Sequence, residues 1–359
     1  MGLSALQGVG MKRFAARQVI VLVVVLVSMS NPAIEAQTNQ THLLVITGLG
    51  GDPDYTQQFH EWAMTLIGAA ENRYNVPPEG ITYLGEKPNL DPEAIADRST
   101  RENVESAIQT ISDRASSGDH VVIVLFGHGS FTDAARINLP RRDLSAEDFA
   151  TLLEKLNGQQ VTFVNTASAS GPFVEILSAQ GRTVMTATRT GGERNASVFG
   201  GYFVAAFAGG EDDADQNRDR RVSMLEAFSY ARARVVQSYE ADGLLATEHA
   251  LLDDNGDGEG TDEPDPLSGD NPDGLVARTL FFTSGSQGQL GRTFNNPALE
   301  VLYQERQELE ARVDDLRRIR GGSDQRQYQE ELEKIMIELA LKSREIRELE
   351  AVSGSPTDR

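Results

Sequence analysis

Four short apolar runs, each ending in small or polar residues, constrain this chain more than any other feature. Leu43–Thr47 runs into Gly48-Leu49-Gly50-Gly51, and His120–Phe126 into Gly127-His128-Gly129. Gln160–Asn165 runs into Thr166-Ala167-Ser168-Ala169-Ser170-Gly171, and Thr183–Ala187 into a polar loop. Helical patterns fill the intervals. Phe59–Ala70 has helical spacing with Trp62, Leu66 and Ile67 inward, and Ser99-Thr100 caps a helix reaching about Ser112. Ser145 and Asp148 form a capping box for Phe149–Leu156, and a further helix is expected at 172–179. Ile81–Leu84 reads as a short strand. Strands that are apolar on both faces and separated by helices predict an α/β fold with a mainly parallel sheet covered on both sides. Ligands in such sheets sit at the carboxyl ends of the strands.

The 359 residues carry 54 acidic against 33 basic groups, a net charge of −21. That excludes a phosphate-binding surface for nucleic acid as the main purpose, because such a surface needs clustered Lys and Arg. The chain has no cysteine, so disulfides, thiolate metal sites and cysteine nucleophiles are all excluded.

Both ends differ from the middle. Lys12, Arg13 and Arg17 precede an apolar run, Val19 to Val27, and small residues follow to Ala36. Basic, apolar, then small is the order of a signal peptide over residues 1–36, and the run is about half the ~20 residues that span a bilayer. The expectation is export to a periplasmic or extracellular space with no stable membrane span after cleavage; an uncleaved N-terminal anchor is the alternative. Export without cysteine fits a bacterial periplasm. At the other end, Leu302, Leu309, Val313 and Leu316 stand at helical spacing. Gly321-Gly322-Ser323 interrupts them, and Leu332, Ile335, Leu339, Ile346 and Leu349 resume the pattern. This predicts a coiled-coil-like helical hairpin over 295–351, with association of copies through 299–351 as one use. The main domain then spans 41–290.

Two strand ends carry chemistry. His128 stands between glycines just past one strand, and Ser168 just past the next, so adjacent parallel strands put both on one sheet edge. A nucleophile at a strand-to-helix turn gains free backbone N–H groups able to hold an oxyanion.

In this order of motifs the chain resembles the caspase-fold peptidases of the legumain type and their bacterial caspase-like relatives. The carrying pieces are the strand and His-Gly of Val121–Gly129, the intervening Leu139-Pro140 and capped helix to Leu156, and Ala167-Ser168-Ala169-Ser170-Gly171. The resemblance covers roughly Leu43 to Phe207. It implies a caspase-like sheet flanked by helices, His128 as catalytic base, Gly129 in the oxyanion hole, and Ser168 where the family carries its nucleophilic Cys. That departure matters. A thiol can be held as a thiolate by a neighbouring His, whereas a serine hydroxyl needs a general base during attack, oriented by a third group. Asn165 and Asp119 are candidates for that group without positional support. Caspase-type enzymes that read Asp place an Arg after the first strand, where this chain has Gly48–Asp52. Arg189 and Arg194, on the loop after the Val184 strand, are the candidates for contact with a substrate side chain, against the plainer reading of solvated loop charges.

The middle of the chain also carries calcium-loop spacing. Asp215, Asn217, Asp219, Arg221 (through its carbonyl), Ser223 and Glu226 occupy positions 1, 3, 5, 7, 9 and 12 of an EF-hand loop, though Arg220 stands where glycine is usual. Asp253, Asn255 and Asp257 begin a second loop whose twelfth position is Pro264. The insert 211–273 holds 18 acidic and 5 basic residues, a net of −13. Calcium is therefore the expected cofactor, and Leu275–Thr283 is read as a late strand returning to the sheet. Three functions compete: a calcium-stabilised scaffold for a peptide or protein ligand with degenerate catalysis, a Ser168/His128 peptidase or esterase, and an envelope protein assembling through the hairpin.

Overall fold

The computed structural model describes residues 40–209, 214–218, 221–266, 272–283 and 325–353, with ten further positions between 298 and 316. The expected signal peptide, Asp219, Arg220 and the Gly321-Gly322-Ser323 turn lie outside the described residues.

The architecture is α/β. Seven strands form one sheet: β1 (Thr41–Thr47), β2 (Ile81–Gly85), β3 (Asp97–Arg98), β4 (His120–Phe126), β8 (Gln160–Asn165), β9 (Arg182–Thr186) and β10 (Leu251–Asp253). Their order is β10-β9-β8-β4-β1-β2-β3, all parallel except β10 against β9. Three shorter strands, β5 (Gly129–Phe131), β6 (Ala135–Ile137) and β7 (Leu144–Ser145), form a separate antiparallel sheet directly after β4.

Alternation along each central strand assigns the two cores. Leu43, Val45, Val122, Val124 and Val164 face one layer, with α1 (Pro53–Asn72), α5 (Phe199–Ala208) and α6 (Met224–Ala241). Leu44, Ile46, Val121, Ile123 and Phe163 face the other, with α2 (Arg101–Arg114), α3 (Ala146–Leu153) and α4 (Phe173–Leu177). Each buried aliphatic or aromatic side chain contributes about 1.5–3 kcal/mol. The expected mainly parallel sheet flanked by helices on both faces is thus what the chain forms.

The helix starts follow from local chemistry. Asp52 caps α1 by accepting the N–H groups of Asp54 and Tyr55, with Pro53 in the first turn. The Ser145/Asp148 capping box starts α3, and Asp148 also pairs with Arg101 of α2, tying two helices on one face. A second capping box, Ser223/Glu226, starts α6.

The late strand expected at 275–283 is not formed. Ala277–Thr279 is a 3-10 turn, and residues 280–283 continue without strand pairing. The Asp254 carboxylate gathers the N–H groups of Gly274, Val276 and Ala277, which commits this backbone to a turn. The end of the segment still reaches the start of β1, where the Thr41 N–H donates to the Thr283 carbonyl (3.2 Å).

At the C-terminus, α7 (Gln325–Ser353) packs against the helical positions between 298 and 316. Leu299 and Leu302 meet Ile346 and Leu349, whereas Leu309, Val313 and Leu316 meet Leu332, Ile335 and Leu339. Contacts that rise along one arm fall along the other, so the arms are antiparallel. Lys342 pairs with Glu305 across them (2.7 Å). Among the described residues no helix is long and apolar enough to cross a membrane.

His120 opens β4 in a buried position. The Phe281 carbonyl can only accept, so Nδ1 donates to it (3.2 Å) and Nε2 accepts from the Thr162 hydroxyl (2.8 Å). Burial pushes this imidazole down from 6.5 to about 4. The folded state therefore holds His120 neutral, and the stability is full above the ordinary value and lost as pH falls from about 6.5 towards 4. The difference amounts to roughly 3 kcal/mol. Urea unfolding at pH 7 and pH 4.5 is expected to show this loss in the native chain and a visibly flatter acid limb in His120→Gln.

Candidate functional site

The chain moves outward from β1 through β2 to β3, then returns to the other side of β1 as β4 and proceeds through β8 to β9. The connection therefore reverses between β1 and β4, and the carboxyl end of that pair is the place where open α/β sheets form a crevice. β4 and β8 pair up to Leu125 and Asn165, and the Thr166 N–H and hydroxyl both bond the Leu125 carbonyl (3.0 and 2.8 Å). His128 and Ser168 stand at equal distances along the chain beyond that last matched pair. The structure thus puts both on the expected edge.

The two side chains do not bond each other. Ser168 is 3% exposed, and among the described residues both partners of its hydroxyl are on Gly129. It accepts from the Gly129 N–H (3.2 Å) and lies 3.3 Å from the Gly129 carbonyl, to which it donates. The Gly129 N–H, the expected oxyanion donor, is thereby directed at the serine oxygen itself. The His128 ring instead lies edge-on to Tyr55 and Phe59 of α1, with centroids at 4.6 and 5.3 Å. Its backbone carbonyl accepts from Asn138, at the foot of the small sheet (3.0 Å).

The turn holding Ser168 is fastened throughout. The Asn165 side chain accepts the Ala167 N–H (3.0 Å), so it serves the turn. Asp119 precedes β4 at the opposite end and pairs with His42 (3.0 Å), a full seven-residue strand away from His128. Ala169 has left-handed backbone (φ 54°) and donates its N–H to the Glu193 carbonyl (2.8 Å). Such a conformation costs an alanine about 1–2 kcal/mol and persists where surrounding bonds enforce it. Ser170 and Thr188 share a hydroxyl contact (3.1 Å), and the Gly171 N–H donates to Thr188 Oγ1 (3.1 Å).

Arg189 and Arg194 flank this edge with their charges already engaged. Arg189 pairs with Asp262, and Arg194 donates to the Phe131 carbonyl (3.1 Å). Arg189 is half-exposed, and an ion pair of that kind is worth about 0–1 kcal/mol, so a ligand carboxylate can compete for it. Residues that sequence patterns did not single out complete the surroundings. Glu193 bonds the backbone of Arg189 and His249 (3.0 and 3.1 Å). Glu248 caps α5 from fifty residues away by accepting from Val198 (3.0 Å) and Phe199 (3.3 Å). Neither bond has a local signal.

The two acidic loops use their carboxylates first on their own backbone. In the first, Glu226 accepts from the Asn217 N–H (3.2 Å), the Ser223 N–H (2.9 Å) and the Ser223 hydroxyl (2.8 Å). The candidate position-9 and position-12 ligands are thus also the capping box of α6. The left-handed residue in the described part of that loop is Arg218 (φ 56°). In the second, Asp253 ends β10, and Asp273 lies close enough to Asp253, Asp254 and Asp257 that burial and their charges raise its carboxyl to about 7. Among the described residues no three Asp, Glu or His side chains already form a metal cage.

No family model matches the chain, and no curated protein matches it in sequence. Among solved structures it is similar to caspase-1 from Spodoptera frugiperda, at 7% identity over 61% of this chain and 87% of that one, with a TM-score of 0.39. It is also similar to a protein from Geobacter sulfurreducens, at 13% identity over 68% of this chain and 99% of that one, with a TM-score of 0.42.

Gly129 and Ser168 give the local packing a direct test. A Cβ on Gly129 would collide with the Ser168 carbonyl oxygen, which sits on backbone and cannot swing away. Gly129→Ala is expected to lose about 2 kcal/mol or more in urea unfolding. Ser168→Ala, which removes a hydroxyl and leaves both Gly129 groups without it, is expected to cost about 1 kcal/mol.

Proposed function

We propose that this chain is a caspase-like scaffold that binds an extended peptide or protein segment at the His128/Ser168 edge without cleaving it. One observation carries the reading: the Ser168 hydroxyl is buried and engaged with both backbone groups of Gly129, away from His128. A serine nucleophile needs its proton taken by an aligned base and an oxyanion donor left open. Here the expected donor is directed at the serine oxygen and the expected base rests on Tyr55 and Phe59. The order of His-Gly and Ala-Ser-x-Ser-Gly motifs supports the caspase-like, legumain-type assignment. The basic, apolar and small segments up to Ala36 support export. Met336, Ile337 and Leu341, each about half exposed on α7, support association of copies through 299–351.

Two arms test the proposal on the full-length chain. A fluorophosphonate probe followed by mass spectrometry is expected to leave Ser168 unlabelled; an adduct that disappears in His128→Ala would establish the Ser168/His128 hydrolase instead. Randomised peptide display on the native chain should enrich acidic or amide-bearing sequences. Their affinity should drop roughly tenfold, about 1.4 kcal/mol, in Arg189→Glu or Arg194→Glu. Failure to enrich any sequence would remove the binding role.

A further inference from the structure

β10 ends in two adjacent aspartates with opposite surroundings. Asp254 is fully supplied with donors: Oδ1 accepts from Gly274 (2.9 Å), and Oδ2 from Val276 (2.9 Å) and Ala277 (2.6 Å). Asp253 is 1% exposed, and its Oδ1 accepts from the Gly256 N–H (3.1 Å). Its Oδ2 is buried with no hydrogen-bond partner among the described residues. A buried carboxylate oxygen in that state bears its full desolvation penalty, and such an atom is the signature of a water or ion that belongs there.

The neighbouring chemistry selects an ion. Asn255 and Asp257 follow Asp253 at the spacing of the first, third and fifth positions of a calcium loop, and Gly258 occupies the sixth with the left-handed backbone that position requires (φ 82°). The twelfth position, Pro264, has no side-chain oxygen. The fold brings another carboxylate beside the start of the loop. Asp273 is buried, accepts the Asp254 N–H on Oδ1 (3.1 Å), and lies within electrostatic reach of both Asp253 and Asp257.

We propose that Asp253, Asn255, Asp257 and Asp273 bind one calcium ion, with Asp273 supplying from a distant segment the carboxylate that the loop's twelfth position lacks. The ion gives Asp253 Oδ2 its partner and offsets the mutual repulsion of the neighbouring aspartates. Because no three of the described carboxylates already converge, the loop must close on the ion. Calcium tolerates that through its flexible coordination by six to eight oxygens, whereas magnesium demands near-ideal octahedral geometry. Beyond the loop, Thr261 exchanges backbone hydrogen bonds with Leu252 (both 2.9 Å), and Asp262 pairs with Arg189. Calcium therefore fixes the segment that covers the β10 edge and holds Arg189.

The test is calcium titration of the chelator-stripped full-length chain by isothermal calorimetry, with thermal unfolding alongside. One ion per chain is expected, with a dissociation constant between about 10⁻⁵ and 10⁻³ M, a raised melting temperature, and a weaker response to magnesium. Asp253→Asn and Asp273→Asn should each weaken binding by roughly tenfold or more. Asp253→Asn should also melt at or above the native temperature without calcium, because it removes a buried, poorly compensated charge; a folding failure would do the opposite. Asp113→Asn, on the exposed face of α2, should leave binding unchanged. The proposal is overturned by the absence of heat or thermal shift up to about 10 mM calcium. Binding that survives both Asp253→Asn and Asp273→Asn, or that is lost in Asp113→Asn, overturns it equally.

Discussion

The central strand His120–Phe126 is paired along its whole length with Thr41–Thr47 on one edge and as far as Leu125 with Gln160–Asn165 on the other. Its side chains alternate between two cores, so a slip of one residue would exchange Val122, Val124 and Phe126 with Val121, Ile123 and Leu125. That would move the whole apolar set to the wrong layer, and the register is therefore strongly specified. A fixed register also fixes the residues just past the strand. Gly127 and His128 must emerge where the chain reverses between β1 and β4, and Ser168 must emerge beside them. The same constraint puts His42, Asp119 and His120 at the far end, a strand length from any chemistry at the site.

The polar residues beyond the strand ends serve the backbone first. A parallel sheet ends abruptly, and the amides and carbonyls just past its last pair need partners. Asn165, Thr166, Ser170 and Thr188 all provide them. Ser168 joins this group by meeting both the N–H and the carbonyl of Gly129. A thiol at the same place would be a weak donor and a weak acceptor, and would leave the Gly129 N–H available to an incoming oxyanion. A hydroxyl there is a competent fastener for the same reason that it is a poor unassisted nucleophile: its proton stays on the oxygen and seeks an acceptor. The physical difference between oxygen and sulfur thus separates holding a turn from attacking a substrate.

Much of the fold was legible because its signals are local. The apolar strand runs, the Ser145/Asp148 box and the Thr100 cap are each written within a few residues. So was the shared edge of His128 and Ser168, since strand ends alone place it. Elements whose cause lies far away in sequence were not legible. Strands β5, β6 and β7 are two or three residues long, too short to display a period, and β10 owes its pairing to β9. The cap that Glu248 places on α5 and the Arg189–Asp262 pair cross about fifty and seventy residues. The expected strand at 275–283 failed for a related reason. Its apolar content reads as strand, but a carboxylate twenty residues earlier takes the very N–H groups a ladder would use.

The acidic insert shows how a chain buries negative charge without a matching number of cations. Glu226 is held by the Asn217 and Ser223 amides that precede α6, Glu248 by those at the start of α5, and Asp254 by the turn at 274–277. Each sits where several N–H groups converge, and helix starts add the positive end of the dipole. Arg189 and Arg232 neutralise Asp262 and Glu263 nearer the surface. The loop these residues define also shields the sheet, because Leu252 would otherwise present an open edge to other chains. Within this scheme Asp253 is the exception. Its strand pairing places it in the interior, while the turn after it supplies a donor to just one of its two oxygens. Among the described residues no further N–H reaches that oxygen, which is the opening the proposed ion fills.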